Sequence, residues 1–192
     1  ALSSVVALFG TYQIAANGVA QSIWSLAALV GVTMGPVFIT VIGQCMGAKD
    51  IDSAHYYFKK LMKITLIFSV IWNVFIFAIT PLFLQYYQLS SQTKYLIFIL
   101  VIIHNLFNTI AFPFSGPLSN GLRATGDVKF TMVVSILSTV VVRGILSIIF
   151  GITLNLGVIG IALAMCADWS MRAIVFHLRY KSDKWTQFSV IE

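Results

Sequence analysis

Residues 129–178 read KFTMVVSILSTVVVRGILSIIFGITLNLGVIGIALAMCADWSMRAIVFHL, two apolar runs on either side of a short turn centred near 155–156. Inside this stretch, residues 144–167 carry no Lys, Arg, Asp or Glu. Crossing a bilayer as a helix takes about 20 apolar residues, so each run is long enough to span. Barrel strands would alternate polar and apolar over about ten residues, and these runs are continuously apolar. The stretch therefore predicts a transmembrane helical hairpin.

Working outward, uncharged stretches recur at 1–48, 64–93 and 95–122. Over all 192 residues the chain is 59% hydrophobic and 9% charged, with a mean hydropathy of +0.94. Soluble domains are roughly 45–50% apolar and about 25% charged, so this chain has too little charged surface to face water. A soluble enzyme domain, a disordered chain and a small disulfide scaffold are excluded. The fold class expected is all-α, a polytopic transmembrane helical bundle, with spans at 1–10 (partial), 13–46, 64–84, 96–119, 129–151 and 157–178. The opening ALSSVVALFG is apolar without a basic leader, so residues 1–10 are expected to be the end of a helix that starts upstream, with a transmembrane lobe at 11–180 and a tail at 181–192.

Charge placement gives the orientation. Lys49, Lys59, Lys60 and Lys63 follow the second span, Arg123 and Lys129 follow the fourth, and Arg179, Lys181 and Lys184 follow the last; the other side has only Lys94. Cytoplasmic loops are enriched in Lys and Arg, which predicts a cytoplasmic C-terminus in a plasma (inner) membrane protein. Tyr56, Tyr57, Tyr180 and Trp185 are then expected at the inner interface, and Tyr12, Tyr86, Tyr87 and Tyr95 at the outer one. The net charge of +6 sits in hinges between apolar runs, so the partner expected is the lipid bilayer and not nucleic acid. Residues 49–63, KDIDSAHYYFKKLMK, are amphipathic and are expected to form a helix along the membrane surface, capped by Asp50 or Asp52. Cys45 and Cys166 fall at different depths, against a disulfide between them.

Polar side chains inside spans are costly in hydrocarbon and normally face other helices or a water-filled cavity. Gln13, Asn17, Gln21 and Ser25 recur every four residues and share one helical face, either a cavity wall or interhelical hydrogen-bonding glue. Gly31, Gly35 and Pro36 predict a bend in that span. The fourth span adds His104, Asn105 and Asn108; His104 is read either as a proton relay or as a neutral, hydrogen-bonded buried residue. The cavity residues expected are Asn17, Gln21, Ser25, His104 and Asn108. Arg143 and Asp168 lie about twelve residues to either side of the hairpin turn, which sets both about 18 Å from it. With Arg172 four residues beyond Asp168, the three form an intramembrane charge cluster, either pinning the hairpin or binding a proton, ion or cargo. GxxxxGK[ST], HExxH, CxxC and GxSxG are missing from the sequence, so neither a catalytic residue nor a metal site nor a cofactor is expected.

Three motifs remain: GTYQIAANGVAQSIW at 10–24, VIGQCMGAKD at 41–50 and LSNGLRATGDVKF at 118–130. Together they resemble the multidrug and toxic compound extrusion family, in which a GQ-x-x-GA pattern ends one span and a later cytoplasmic loop carries LR-x-x-GD. The matching positions are Gly43, Gln44, Gly47 and Ala48, then Leu122, Arg123, Gly126 and Asp127, all read as gate and loop architecture. Locally, Gly126 is suited to reverse the chain, Asp127 to cap the fifth helix, and Arg123 to meet phosphates or an acidic partner. The resemblance implies the second lobe of a twelve-helix transporter, from the end of helix 7 through helix 12, whose partner is the missing N-terminal lobe. It also implies inward H+ or Na+ flux that expels small amphipathic or cationic compounds as the two lobes rock. A lipid-linked oligosaccharide flippase of the same superfamily is the rival, kept open by Arg143 and Arg172, and a non-transporting membrane fragment is a second. One departure is the stretch NTIAFPFSG at 108–116, where Phe112 stands near the place of an acidic residue carried by some members.

Overall fold

The computed structural model describes residues 6 and 9–188, so most of the expected helix end at 1–10 and the last residues of the 181–192 tail lie outside the described residues. Helix α1 spans Thr11–Ala27, α2 Leu29–Gly47, α3 Ile51–Tyr86 and α4 Ser91–Ile110. Two short pieces, α5 (Phe112–Ser115) and α6 (Pro117–Ala124), continue α4. Helix α7 covers Val128–Thr153 and α8 Gly157–Lys181, with a 3-10 turn at Lys184–Gln187 behind it. The fold is an all-α bundle in which α2, α3, α4, α7 and α8 are each long and apolar enough to cross a membrane.

The expected single span at 13–46 is a bent rod, and its break falls at Ala28, ahead of Gly31, Gly35 and Pro36. Side-chain donors from two other helices explain the position. Trp72 Nε1 donates to the Leu26 carbonyl at 2.7 Å and Asn108 Nδ2 to the Ala27 carbonyl at 2.9 Å. They compete for carbonyls that an unbroken helix would give to Val30 and Gly31. The two glycines serve close packing: a Cβ on Gly31 would stand 2.5 Å from the Phe112 ring, and one on Gly35 2.5 Å from Asn120 Nδ2. This small-xxx-small pair lets α2 lie against α5 and α6.

The amphipathic segment is also corrected, because it is the first part of α3 and not a separate surface helix. Residues 51–80 contain neither Gly nor Pro, so a change in hydropathy is not a reason for the helix to end. At 36 residues α3 is about 54 Å long, well beyond a hydrocarbon core of about 30 Å. Asp50, not Asp52, caps it: the carboxylate accepts the Ser53 backbone N–H at 2.9 Å and the Ser53 hydroxyl at 2.7 Å. Those two bonds, the backbone one first, hold the Asp50 carboxyl below its ordinary value of 3.8. A depressed folded value means that the cap is fully effective above the ordinary value and is lost as pH falls through the folded one. Amide protection at Ser53 and Ala54 is therefore expected to fall between about pH 5 and about pH 2 in the native protein, and to be weak at both in Asp50→Ala. Equal protection at both pH values in the native protein would contradict the assignment.

The expected span at 96–119 starts earlier, at Ser91, and breaks at Ala111 and Gly116. Pro113 and Pro117 lack the N–H that would continue the ladder, and their rings crowd the turn before them. Helix α7 is interrupted by two π turns, Ser138–Val142 and Ile149–Thr153. The hairpin closes through Asn155 at φ +54° and Gly157 at φ +57°.

Interior packing falls into three groups. Ala16, Ala20, Ile23, Ile97, Leu100 and Val158 pack toward the hairpin-turn end, and Phe38, Ile42, Phe58, Leu122, Phe176 and Trp185 toward the Lys-rich end. Ala111, Met165, Cys166 and Trp169 lie in a third cluster. Trp185 is fully buried among protein side chains, its Nε1 donating to the Tyr180 carbonyl at 3.0 Å. Cys45 and Cys166 are both free and buried. Phe68, Ile71, Val74 and Phe75 on α3 and Met132, Ile136 and Val140 on α7 form wide exposed apolar faces, which suit lipid and not water.

Candidate functional site

The main polar feature is a seam between α7 and α8. Asp168, on α8, is fully buried, and its carboxylate accepts from the Ser138 hydroxyl, from the Arg143 guanidinium and from Arg172 Nη2, the last at 3.1 Å. Arg143 and Asp168 thus meet as their equal depth in the hairpin predicts. The π turn at Ser138–Val142 directly precedes Arg143 and adds a residue to the helical register, rotating the rest of α7 relative to an unbroken α-helix. One carboxylate faces two guanidinium groups here. Arg143 Nε, Arg172 Nε and the Ser147 hydroxyl, all buried, have no partner among the described residues.

The seam continues toward the Lys-rich end. Arg123 Nε donates to Thr131 Oγ1 at 3.4 Å and Nη2 to Ser135 Oγ at 3.5 Å, so its partners among the described residues are two hydroxyls of α7. Asp127 holds the N-cap position of α7 but makes no side-chain cap bond. Its two oxygens instead accept Arg179 Nε at 2.6 Å and Nη2 at 3.2 Å, a bidentate pair that draws a carboxylate more strongly than a lone amide does. Gly126, at φ +96°, makes the reversal expected of it. Arg143, Arg172 and Arg179 share two aspartates along this seam and Arg123 pairs with neither, which leaves positive charge in excess.

The amide residues divide between two places. Asn17 and Gln21 are half-buried on α1 and Ser25 is exposed, its hydroxyl donating to the Gln21 carbonyl at 2.9 Å, so this face stays open along the lobe. Gln13, from the same stripe, reaches across to accept the Val158 N–H at 3.1 Å, so at that position the hydrogen-bonding reading holds. His104 and Asn108 are buried within the lobe. Asn108 Nδ2 donates to the Ala27 carbonyl and to Asn73 Oδ1 at 3.0 Å, tying α4 to α1 and α3. His104 has neither ring nitrogen partnered among the described residues; its ring lies 6.4 Å from Trp169, which stacks on Trp24 at 5.5 Å. Gly43 and Gly47 have open space where a Cβ would stand and Gln44 is exposed, so the GQ-x-x-GA motif turns away from the rest of the described lobe.

Two contributors are not singled out by the sequence reading. Asn73 sits at the centre of the amide cluster, and a lone amide in the apolar run 64–84 is a usable signal. Ser138 gives none, since one serine in a span is ordinary.

Apolar helices that hold hydrogen-bonded charges and amides within their spans define a multi-pass helical membrane protein. Comparison with known proteins narrows this further, because the MatE family model matches residues 1–149. The chain belongs to the MatE family. An uncharacterized transporter YisQ of Bacillus subtilis (strain 168) is 27% identical over 95% of this chain. A solved transporter of the MOP superfamily from Pyrococcus furiosus superposes with a TM-score of 0.81 at 21% identity over 97% of this chain; its described binding pocket has reversed polarity, suggesting a different function for that protein. An outward-facing multidrug resistance MATE family transporter superposes with a TM-score of 0.74 at 21% identity, again over 97% of this chain. The chain spans 40–41% of the length of these relatives.

Proposed function

We propose that this chain is the second lobe of a secondary active exporter that moves amphipathic, including cationic, compounds by alternating access against a first lobe. The coupling ion in this reading is H+ or Na+, the membrane is the plasma (inner) membrane, and the C-terminus is cytoplasmic. The observation that carries it is the open face of Asn17, Gln21 and Ser25 on α1, polar surface that a lobe bathed only in lipid would bury. Family membership and the two structural likenesses support it. Asp168, the buried carboxylate of the α7–α8 seam, is bound by two arginines, so the positive charge of a cargo is left to aromatic faces such as that of half-buried Trp24 in this lobe.

A second reading, a lipid-linked oligosaccharide flippase, is favoured by the excess arginine of the α7–α8 seam and its unpartnered Nε atoms. The reversed pocket polarity described for the Pyrococcus furiosus protein is consistent with it. Full-length protein in sealed vesicles separates the two. Dye extrusion that follows an imposed H+ or Na+ gradient supports the exporter; dye content indifferent to the gradient overturns it. Suppression of transport by a lipid-pyrophosphate sugar, and not by cationic dyes, supports the flippase.

A further inference from the structure

Away from the open α1 face and the charged seam, two neighbouring cavities share Phe114 and His177 in their lining. The first, about 500 Å³, lies between α3, α6 and α8 with Lys59, Lys63 and His177 at its mouth and Met62, Leu66 and Leu118 below. The second, about 300 Å³, lies beside it over Ile110, Ala173 and Ile174. The three walls, Lys59 to Ile67, Leu118 to Ile110 and His177 to Ser170, each descend seven or eight residues, about 11 Å of helix. That depth fits within one leaflet, since the hydrocarbon core is about 30 Å thick. Among the described residues, no Asp or Glu lines either cavity, and Lys59 and Lys63 make no ion pair. Their neighbour Lys60 is engaged elsewhere, with its Nζ 3.3 Å from the Tyr56 hydroxyl. Ile67, Phe68 and Ile174, all exposed, flank the groove with the kind of surface that faces lipid.

We infer that this groove binds one anionic phospholipid, its phosphate held by Lys59 and Lys63 and an acyl chain laid along Phe114, Ala173 and Ile174. Charge complementarity selects this occupant: the groove is cationic at one end only, at the Lys-rich membrane surface, and apolar from there inward. A soluble peptide or a free anion has no use for the apolar floor, and a zwitterionic lipid gains less at the two lysines. Each basic group near a membrane surface favours an anionic lipid by about five-fold. Snorkelling lysine stems add contact with the chain.

The test titrates purified full-length protein in neutral detergent with dioleoyl phosphatidylglycerol, dioleoyl phosphatidylcholine or inorganic phosphate and counts bound molecules by native mass spectrometry. One equivalent of phosphatidylglycerol is expected to bind in preference to the other two. Lys59→Gln and Lys63→Gln should each weaken it about five-fold, and the double variant about thirty-fold, which is about 2 kcal/mol. Lys60→Gln, on another face of the same helix, should leave it unchanged, and Ala173→Trp, which fills the chain path, should abolish it. Circular dichroism of each variant shows that it is folded, and the single lysine variants stand as independent tests should the double variant fail to fold. Equal binding of phosphatidylcholine, full competition by inorganic phosphate, or a loss in Lys60→Gln equal to that in Lys59→Gln overturns the inference.

Discussion

Asp168→Asn is expected to destabilise the folded protein by about 3–5 kcal/mol, measured as the shift in a denaturing-detergent unfolding curve of the full-length protein. The cost comes from the charges left behind. Arg143 and Arg172 both converge on the Asp168 carboxylate in a site where it is fully buried. An amide side chain cannot neutralise either, so two guanidinium groups stay in low dielectric with no counter-charge. Removing all three charges together, as Arg143→Met, Asp168→Leu and Arg172→Met, should recover most of that loss, because well-packed apolar replacements of a buried ion cluster are often neutral. An Asp168→Asn cost below about 1 kcal/mol would mean that the cluster does not pin the hairpin.

A second large effect is expected at the other side of the same hairpin. A Cβ on Gly160 would collide with the backbone of Phe150 and Gly151 on α7, and backbone atoms cannot rotate away as a side chain can. Making room means separating α7 from α8, which also strains the contacts of Asp168 with Ser138 and Arg143. Gly160→Ala is therefore expected to cost about 1–3 kcal/mol in the same unfolding assay. Gly144→Ala, on α7 where a Cβ meets open space, is the matched control and should be neutral or stabilising by up to about 1 kcal/mol. Equal costs at the two glycines would remove close backbone approach as the explanation.

How far the structure is legible in the sequence depends on the range of the interaction that sets each feature. The α7–α8 hairpin and its charge cluster are readable because hydrocarbon forces charges to pair, and because distance from the turn fixes depth. The break at Ala28 is not: the donors that compete for its carbonyls, Trp72 and Asn108, lie 46 and 81 residues away from the carbonyls they reach. Asp127 looks like a cap because caps are local, and loses that role to Arg179, 52 residues on. The π turns of α7 fall among Val, Ile and Thr, where an extra residue per turn leaves no trace in hydropathy. The helix-long continuity of α3 is hidden by the reverse problem, a sharp change of hydropathy over a backbone that has no reason to stop.

Whether water reaches the amide face of α1 inside the membrane is tested most directly by thiol accessibility in full-length protein carrying Cys45→Ala and Cys166→Ala. Gln21→Cys should react with a membrane-impermeant thiol reagent in intact vesicles, while Val74→Cys, on the exposed apolar face of α3, should react only after the membrane is dissolved. Gln21→Cys that is as unreactive as Val74→Cys in the intact membrane, with both labelled once denatured, would place that face in lipid and contradict a transport pathway along it.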